Sequence, residues 1–311
     1  MDRRSAQAPS AVIMIRPHKF VPNAQTAADN AFQKSVNLSD HGLISETAFK
    51  ESSRASDKLK EYGIKVHVFE DETDITPDSV FPNNWFSTHP GGHVAIYPMF
   101  APNRRLERRY DVIEMLKRDY RVQDIIDYSG LEPDGLYLEG TGAMVLDHID
   151  RVAYAIKSNR TDPVALERFC THFNYEPMVF NAADELGTPI YHTNVLMCIA
   201  TDFVMIGTEM ISDPKRRYEI IERFNQSGRE VITLTNDQIA NFAGNALELQ
   251  GKDGRLLAIS SRALNALTQS QIDIIEQSVK ILPLDISTIE LAGGSVRCML
   301  AGIHLTPRNK T

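Results

Sequence analysis

LEGTGAMVLDHIDRVAYAI, residues 138–156, runs from an acid through a glycine-bearing turn into an apolar stretch, then a tight polar turn, then a second apolar stretch. Two short apolar runs around turn residues read as a β-hairpin. The pattern recurs in Asn84–Thr88 with HVAIYP (93–98), in HTNVLMCIATDFVMIG (192–207), in FAGNALELQGKDGRLLAIS (242–260) and in GGSVRCMLAGIHL (293–305). With Asn84, Gly142, Asn194, Asn245 and Arg297 as landmarks, the steps are 58, 52, 51 and 52 residues. Between the hairpins lie helical patterns, RRYDVIEMLKRDY (108–120), DPVALERFCTHF (162–173), DPKRRYEIIERFNQSG (213–228) and TQSQIDIIEQSV (268–279), several opened by Asp or Thr as an N-cap. Further strands such as VITLT (231–235) and KILPLDI (280–286) complete the units.

A period near 50 residues argues for radial repetition, in which each unit buries its apolar face only against its neighbours. The reading is an α/β fold, a five-bladed α/β propeller with pseudo-fivefold repeats. The alternative is a three-layer α/β sandwich. No linker or low-complexity tract divides the chain, so residues 10–308 are expected to form a single catalytic domain behind a frayed, disordered tail of residues 1–9.

The composition is that of a globular protein, with 311 residues, 42% hydrophobic and 24% charged. A formal charge of −8 gives no basic footprint for nucleic acid, and no apolar run approaches the ~20 residues that span a bilayer. The apolar run Ala11–Ile15 is too short for a signal-peptide core. Cys170, Cys198 and Cys298 are odd in number and lack CxxC spacing, so neither a disulfide framework nor a zinc site is implied, and the expected location is cytoplasmic. The expected partner is a small molecule, with no nucleic acid and no membrane; a homo-oligomer is left open.

In a ring of repeats the equivalent turns converge on the axis. They supply Asn83, Asn84, Glu139, His192, Asn194, Asn245 and Cys298. A cysteine, a histidine and a glutamate are the parts of a covalent thiol catalyst. Cys170 falls in a helical pattern and Cys198 in mid-strand, where a thiol acts as a small hydrophobe. Cys298 follows GGSVR, a turn with close backbone approach and an adjacent guanidinium, a setting that favours a thiolate.

Together DSVFPNNWFSTHPGG (78–92), LEGTGAMVLDH (138–148), YHTNVLM (191–197) and GGSVRCMLAGIHL (293–305) resemble the guanidine-modifying, amidinotransferase-type superfamily, the penteins, from Ile13 to Leu305. The resemblance is strongest to its bacterial citrulline-utilisation hydrolase branch. It implies Cys298 as nucleophile, His192 as acid/base and Glu139 as the carboxylate that holds the histidine. It implies Asp78 and Phe81 along an amino-acid substrate. Arg104, in APNRR, and Arg160, in KSNRTD, would bind the substrate carboxylate, for which a guanidinium is a bidentate fork.

One departure bears on substrate. Where arginine deiminases of this superfamily carry carboxylates that grip a guanidinium, this sequence has Asn84 and Asn194, with Asn83 beside the first. A buried cation held by neutral amides lacks charge compensation, whereas a ureido group needs none. The implied reaction is hydrolysis of citrulline to ornithine, carbon dioxide and ammonia, with no metal or organic cofactor. The alternatives are an arginine dihydrolase or deiminase, an amidinotransferase, or a non-catalytic amino-acid-binding propeller.

Overall fold

The hairpins expected at 138–156, 192–207 and 242–260 form as read, and in each a third strand adds alongside the second. A computed structural model describes residues 6–308. It holds five three-stranded sheets. Four follow one plan: an antiparallel hairpin, a helix, and a strand returning parallel to the hairpin's second strand. In the sheet of residues 138–180, Met144–Asp147 pairs antiparallel with Val152–Ile156, which pairs parallel with Glu176–Phe180. The helix Pro163–Phe173 makes the crossover. Its sequence sets its start: Asp162 accepts from the backbone of Val164 and Ala165, and Pro163 fills the first turn, where no amide donor is needed. Asp213 with Pro214, and the Thr268–Gln271 capping box, start the helices of the next two sheets in the same way.

The fifth sheet joins the two ends of the chain. Ala11–Pro17 pairs parallel with Lys65–Asp71 and antiparallel with Ala301–Gly302, so the last strand closes the ring on the first. Each inner strand is buried and feeds apolar clusters between neighbouring sheets; Val145, Tyr154, Leu196 and Met205 lie in one, Trp85, Phe86 and Ile13 in another. The five units make a five-bladed α/β propeller, as the repeat period implied.

Residues 293–305, read as a hairpin, instead form a short helical turn and a two-residue strand, Ala301–Gly302, whose antiparallel partner is the distant Ala11–Pro17. Two further features differ from the sequence reading. The first is a helix over His41–Glu61, between the two long strands of the fifth sheet. Its buried face is Ala48, Glu51, Ser52, Ala55, Ser56 and Leu59, mostly small side chains that let the helix lie close to the sheet and carry little apolar signal. The second is the tail. Residues 1–5 lie outside the described residues, but Gln7, Ala8 and Pro9 are buried rather than frayed. Gln7 Nε2 donates to the carbonyls of Leu146 and Ile199, tying two sheets together, and an amide so placed must be paired. Among the described residues no helix is long and apolar enough to cross a membrane.

Candidate active site

The five landmark turns do converge. Four of them are short helical turns, Pro82–Asn84, Gly140–Ala143, Thr193–Leu196 and Val296–Met299, and the fifth is the turn ending at Asn245. Their approach is close enough to dictate residue type. A Cβ on Gly142 would come within 2.2 Å of Asn84 Oδ1 and 2.8 Å of His192 Nδ1, so only glycine fits. A Cβ on Gly294 would meet the Phe81 ring at 2.7 Å. Thr193 Oγ1 donates to the Ala143 carbonyl and accepts from the Ile156 amide, which locks the histidine's turn to the glutamate's.

Cys298 is buried, and its Sγ accepts from two side-chain amides, Asn194 Nδ2 at 3.1 Å and Asn245 Nδ2 at 3.3 Å. Asn194 Oδ1 is buried with no protein partner. His192 Nε2 bonds Glu139 Oε2 at 2.8 Å, so Nε2 carries the proton toward the carboxylate and Nδ1 is left to act on a ligand. Burial pushes the imidazole down to about 4, against the pull of Glu139. Burial would raise Glu139, but the Arg160 charge, the His192 hydrogen bond and the Arg104 charge outweigh it and hold the carboxyl at about 2.

The remaining acids are already matched to cations. Arg104 makes a two-pronged pair with Glu107, both contacts at 2.9 Å, and lies 3.6 Å from Asp78 and 3.7 Å from Glu139. In the orientation that satisfies both its groups, the Asn84 amide accepts from Arg104 at 3.0 and 3.1 Å. Glu107 is raised to about 7, burial outweighing the pull of Arg104. Arg160 pairs with Asp29 at 3.0 and 2.5 Å and lies over the Tyr191 ring. Asp78 accepts from Asn23 at 2.8 Å, and its Oδ1 has no partner.

These groups surround a small cavity of about 10 Å³, lined by Asp78, Phe81, Asn84, Arg104, Arg160, His192 and Cys298 among others. Of the expected site residues, Asn83 is not on its wall; it donates to Thr141 Oγ1 at 3.3 Å and so anchors the turn that carries Asn84. Glu139 and Asn194 stand just behind the wall, on His192 and on Cys298. The sequence reading placed Asn245 at a convergent turn without a role; the structure puts its amide on the sulfur. It gave no sign of Asp29 or Asn30, which reach the site from an irregular segment ahead of the long helix. Cys170 and Cys198 are both pushed up to about 12 by burial, as suits inert core thiols.

The model of the family described as N,N dimethylarginine dimethylhydrolase, eukaryotic, matches residues 16–305. No curated protein sequence matches the chain. Among solved structures it is similar to the N-terminal domain of ArgZ, an arginine dihydrolase of the ornithine-ammonia cycle in cyanobacteria, solved with its substrate. The identity is 17% and the TM-score 0.73, with 94% of this chain and 97% of that one covered. It is also similar to unliganded AgrE, at 16% identity and a TM-score of 0.75, covering 96% of this chain and 40% of that one. The Pseudomonas aeruginosa DDAH, complexed with citrulline, matches at 12% identity and a TM-score of 0.62, covering 95% and 100%. At these identities the likenesses establish the fold.

Proposed function

Because the chain belongs to the N,N dimethylarginine dimethylhydrolase family of the pentein superfamily, cysteine-dependent hydrolases of guanidino-type C–N bonds, we propose that it hydrolyses the ureido group of free citrulline. One observation carries the choice of a neutral group. Beside the Cys298 sulfur stand the amides of Asn194 and Asn245, while Glu139, Glu107 and Asp29 are each bound to a cation or to His192. Among the described residues no carboxylate is bonded at the sulfur, and the unpartnered carboxylate oxygen on the cavity wall, Asp78 Oδ1, is assigned below to the substrate ammonium.

In this reading the Cys298 thiol gives its proton to His192 Nδ1 and its sulfur attacks the ureido carbon; His192 passes that proton to the departing ornithine amine as the C–N bond breaks, leaving a carbamoyl group on sulfur. His192, oriented by Glu139, then takes a proton from water, which displaces the thiolate. The carbamic acid released breaks down to carbon dioxide and ammonia. Asn194 Oδ1 and Asn84 hold the ureido group by dipoles fixed in place before the reaction. The unpaired Asp78 Oδ1 takes the substrate ammonium, and Arg160 takes the α-carboxylate by exchanging it for Asp29, a like group in a like geometry. Arg104, held by Glu107, adds positive charge behind that carboxylate. A cavity of about 10 Å³ does not hold an amino acid, so the segment bearing Asp29 and Asn30 moves aside for entry.

Asn84 inside the cavity also suits an arginine dihydrolase, which would carry arginine through two hydrolyses. Product balance separates the two: citrulline gives one ammonia per ornithine, arginine gives two. Incubation with citrulline, arginine and dimethylarginine in parallel, with ornithine and ammonia quantified, tests the proposal. Turnover of citrulline well above that of arginine and dimethylarginine is expected, and no turnover of citrulline sinks the reading.

A further inference from the structure

Adjacent residues of the Val296–Met299 turn line different cavities. Cys298 lines the site just described, while Arg297 lines a second cavity of about 30 Å³ behind it, together with His89, His148 and His304. Among the described residues no Asp or Glu lies on its wall. Arg297 keeps some accessible surface, yet its Nε is fully buried and has no hydrogen-bond partner. Among the described residues its charge is felt by two thiols, Cys198 and Cys298, and by no carboxylate. His89 is 1% exposed, and its Nδ1 also lacks a partner, the Nε2 being bonded to Ser87.

The three imidazoles do not supply a counter-charge. Burial holds His89 and His148 well below the usual range, and burial with the Arg297 charge brings His304 down to about 4. At neutral pH the rings are neutral, with His148 Nδ1 bonded to the Tyr175 hydroxyl and the His148 and His304 rings 4.1 Å apart. Among the described residues no group of His, Cys, Asp or Glu is arranged to hold a metal ion. Among the described residues the wall therefore holds one cation and no acidic side chain to match it. Water satisfies hydrogen bonds but leaves the charge unmatched, and a buried charge is normally paired.

We propose that this cavity is a binding site for one small monovalent anion of chloride size, held by the Arg297 guanidinium and the His89 imidazole N–H. The volume sets the upper limit. About 30 Å³ admits one or two water-sized particles, so sulfate, phosphate and the amino-acid substrate are excluded.

The test uses crystals of the full chain soaked in bromide, with anomalous scattering, and melting curves in chloride or bromide against gluconate at equal ionic strength. One anomalous peak beside Arg297 is expected, with a melting temperature that climbs with halide but not gluconate. Arg297→Met should melt cooperatively and lose the halide response, while Arg297→Lys, which keeps the charge, should retain it. If Arg297→Met does not fold, the wild-type halide and gluconate comparison and the Lys variant decide. A cavity holding only water, or an equal rise in gluconate, overturns the proposal. A bromide peak without a halide-specific shift means an adventitious ion only, and overturns it as well.

Discussion

The two cavities on either side of the Cys298 turn handle buried charge in opposite ways. In front, Arg104 and Arg160 are matched by Glu107, Asp29, Asp78 and Glu139, within a few ångströms and largely out of water. Behind, Arg297 meets three neutral histidines and, among the described residues, no acid. The front is a closed electrostatic network, in which removing one member strands another; the back is a cation whose compensation must come from elsewhere. The difference teaches that burial alone does not identify a reactive site. What sets the front apart is that His192 Nδ1, Asp78 Oδ1 and Asn194 Oδ1 are left free within an otherwise satisfied network.

The sharpest way to break this contrast is Cys298→Ala. Turnover of citrulline should fall by roughly 10³-fold or more with the melting temperature nearly unchanged, since a covalent nucleophile has no substitute. A variant with substantial residual turnover, measured as ornithine formed, removes the covalent scheme.

Next come matched deletions of charge. Arg104→Met should destabilise the fold by about 3–5 kcal/mol, because Glu107 and Asp78 are left buried without their cation. Arg297→Met in gluconate strands no acid, and its stability should hold or rise. Urea midpoints of the two variants compare them directly, and equal losses would erase the distinction drawn between front and back.

A smaller effect concerns acid. His304 falls from 6.5 to about 4 on folding through burial and the Arg297 charge, so between those values the unfolded chain binds a proton that the folded one does not. Stability from this group is present above pH 6.5 and is lost as pH falls toward 4. His304→Gln should therefore lessen the stability lost between pH 7 and pH 5 by about 2 kcal/mol. Glu107, raised to about 7, works in the opposite sense, which is why the variant and the parent are compared at both pH values. An unchanged difference would show that His304 is not held neutral.

The smallest change tunes substrate. Asn194→Asp places a carboxylate beside the sulfur, and the ratio of citrulline to arginine turnover should drop by about 10-fold or more, as an ion pair in a desolvated site favours the cation. A ratio that stays constant would mean that the amides do not select for a neutral group.

Much of this was legible in the sequence, for reasons that can be stated residue by residue. The hairpins announce themselves because both strands are buried and their turns need glycine or asparagine, and the helices at Asp162, Asp213 and Thr268 begin with side chains that cap. The convergence of Asn84, Glu139, His192, Asn194, Asn245 and Cys298 follows from the period alone, since equivalent turns of a closed ring share an axis. What was hidden depends on long-range pairing. The helix of residues 41–61 packs through alanine and serine, which no apolar count detects. Arg104 reads equally as a solvated helix start, and only the fold shows Glu107 turned inward with it. Asp29 and Gln7 lie in segments without periodicity, and their partners are 131 and more than 130 residues away.

The closure of the ring has one more consequence. Only Met299 and Leu300 separate Cys298 from the strand Ala301–Gly302, which pairs with Val12 and Ile13 near the opposite end of the described chain. The proposed nucleophile thus rides on the clasp. The pairing of Ala301–Gly302 with the first strand fixes the turn that carries Cys298, so in the proposed scheme a chain that leaves its ring open also leaves its nucleophile unplaced.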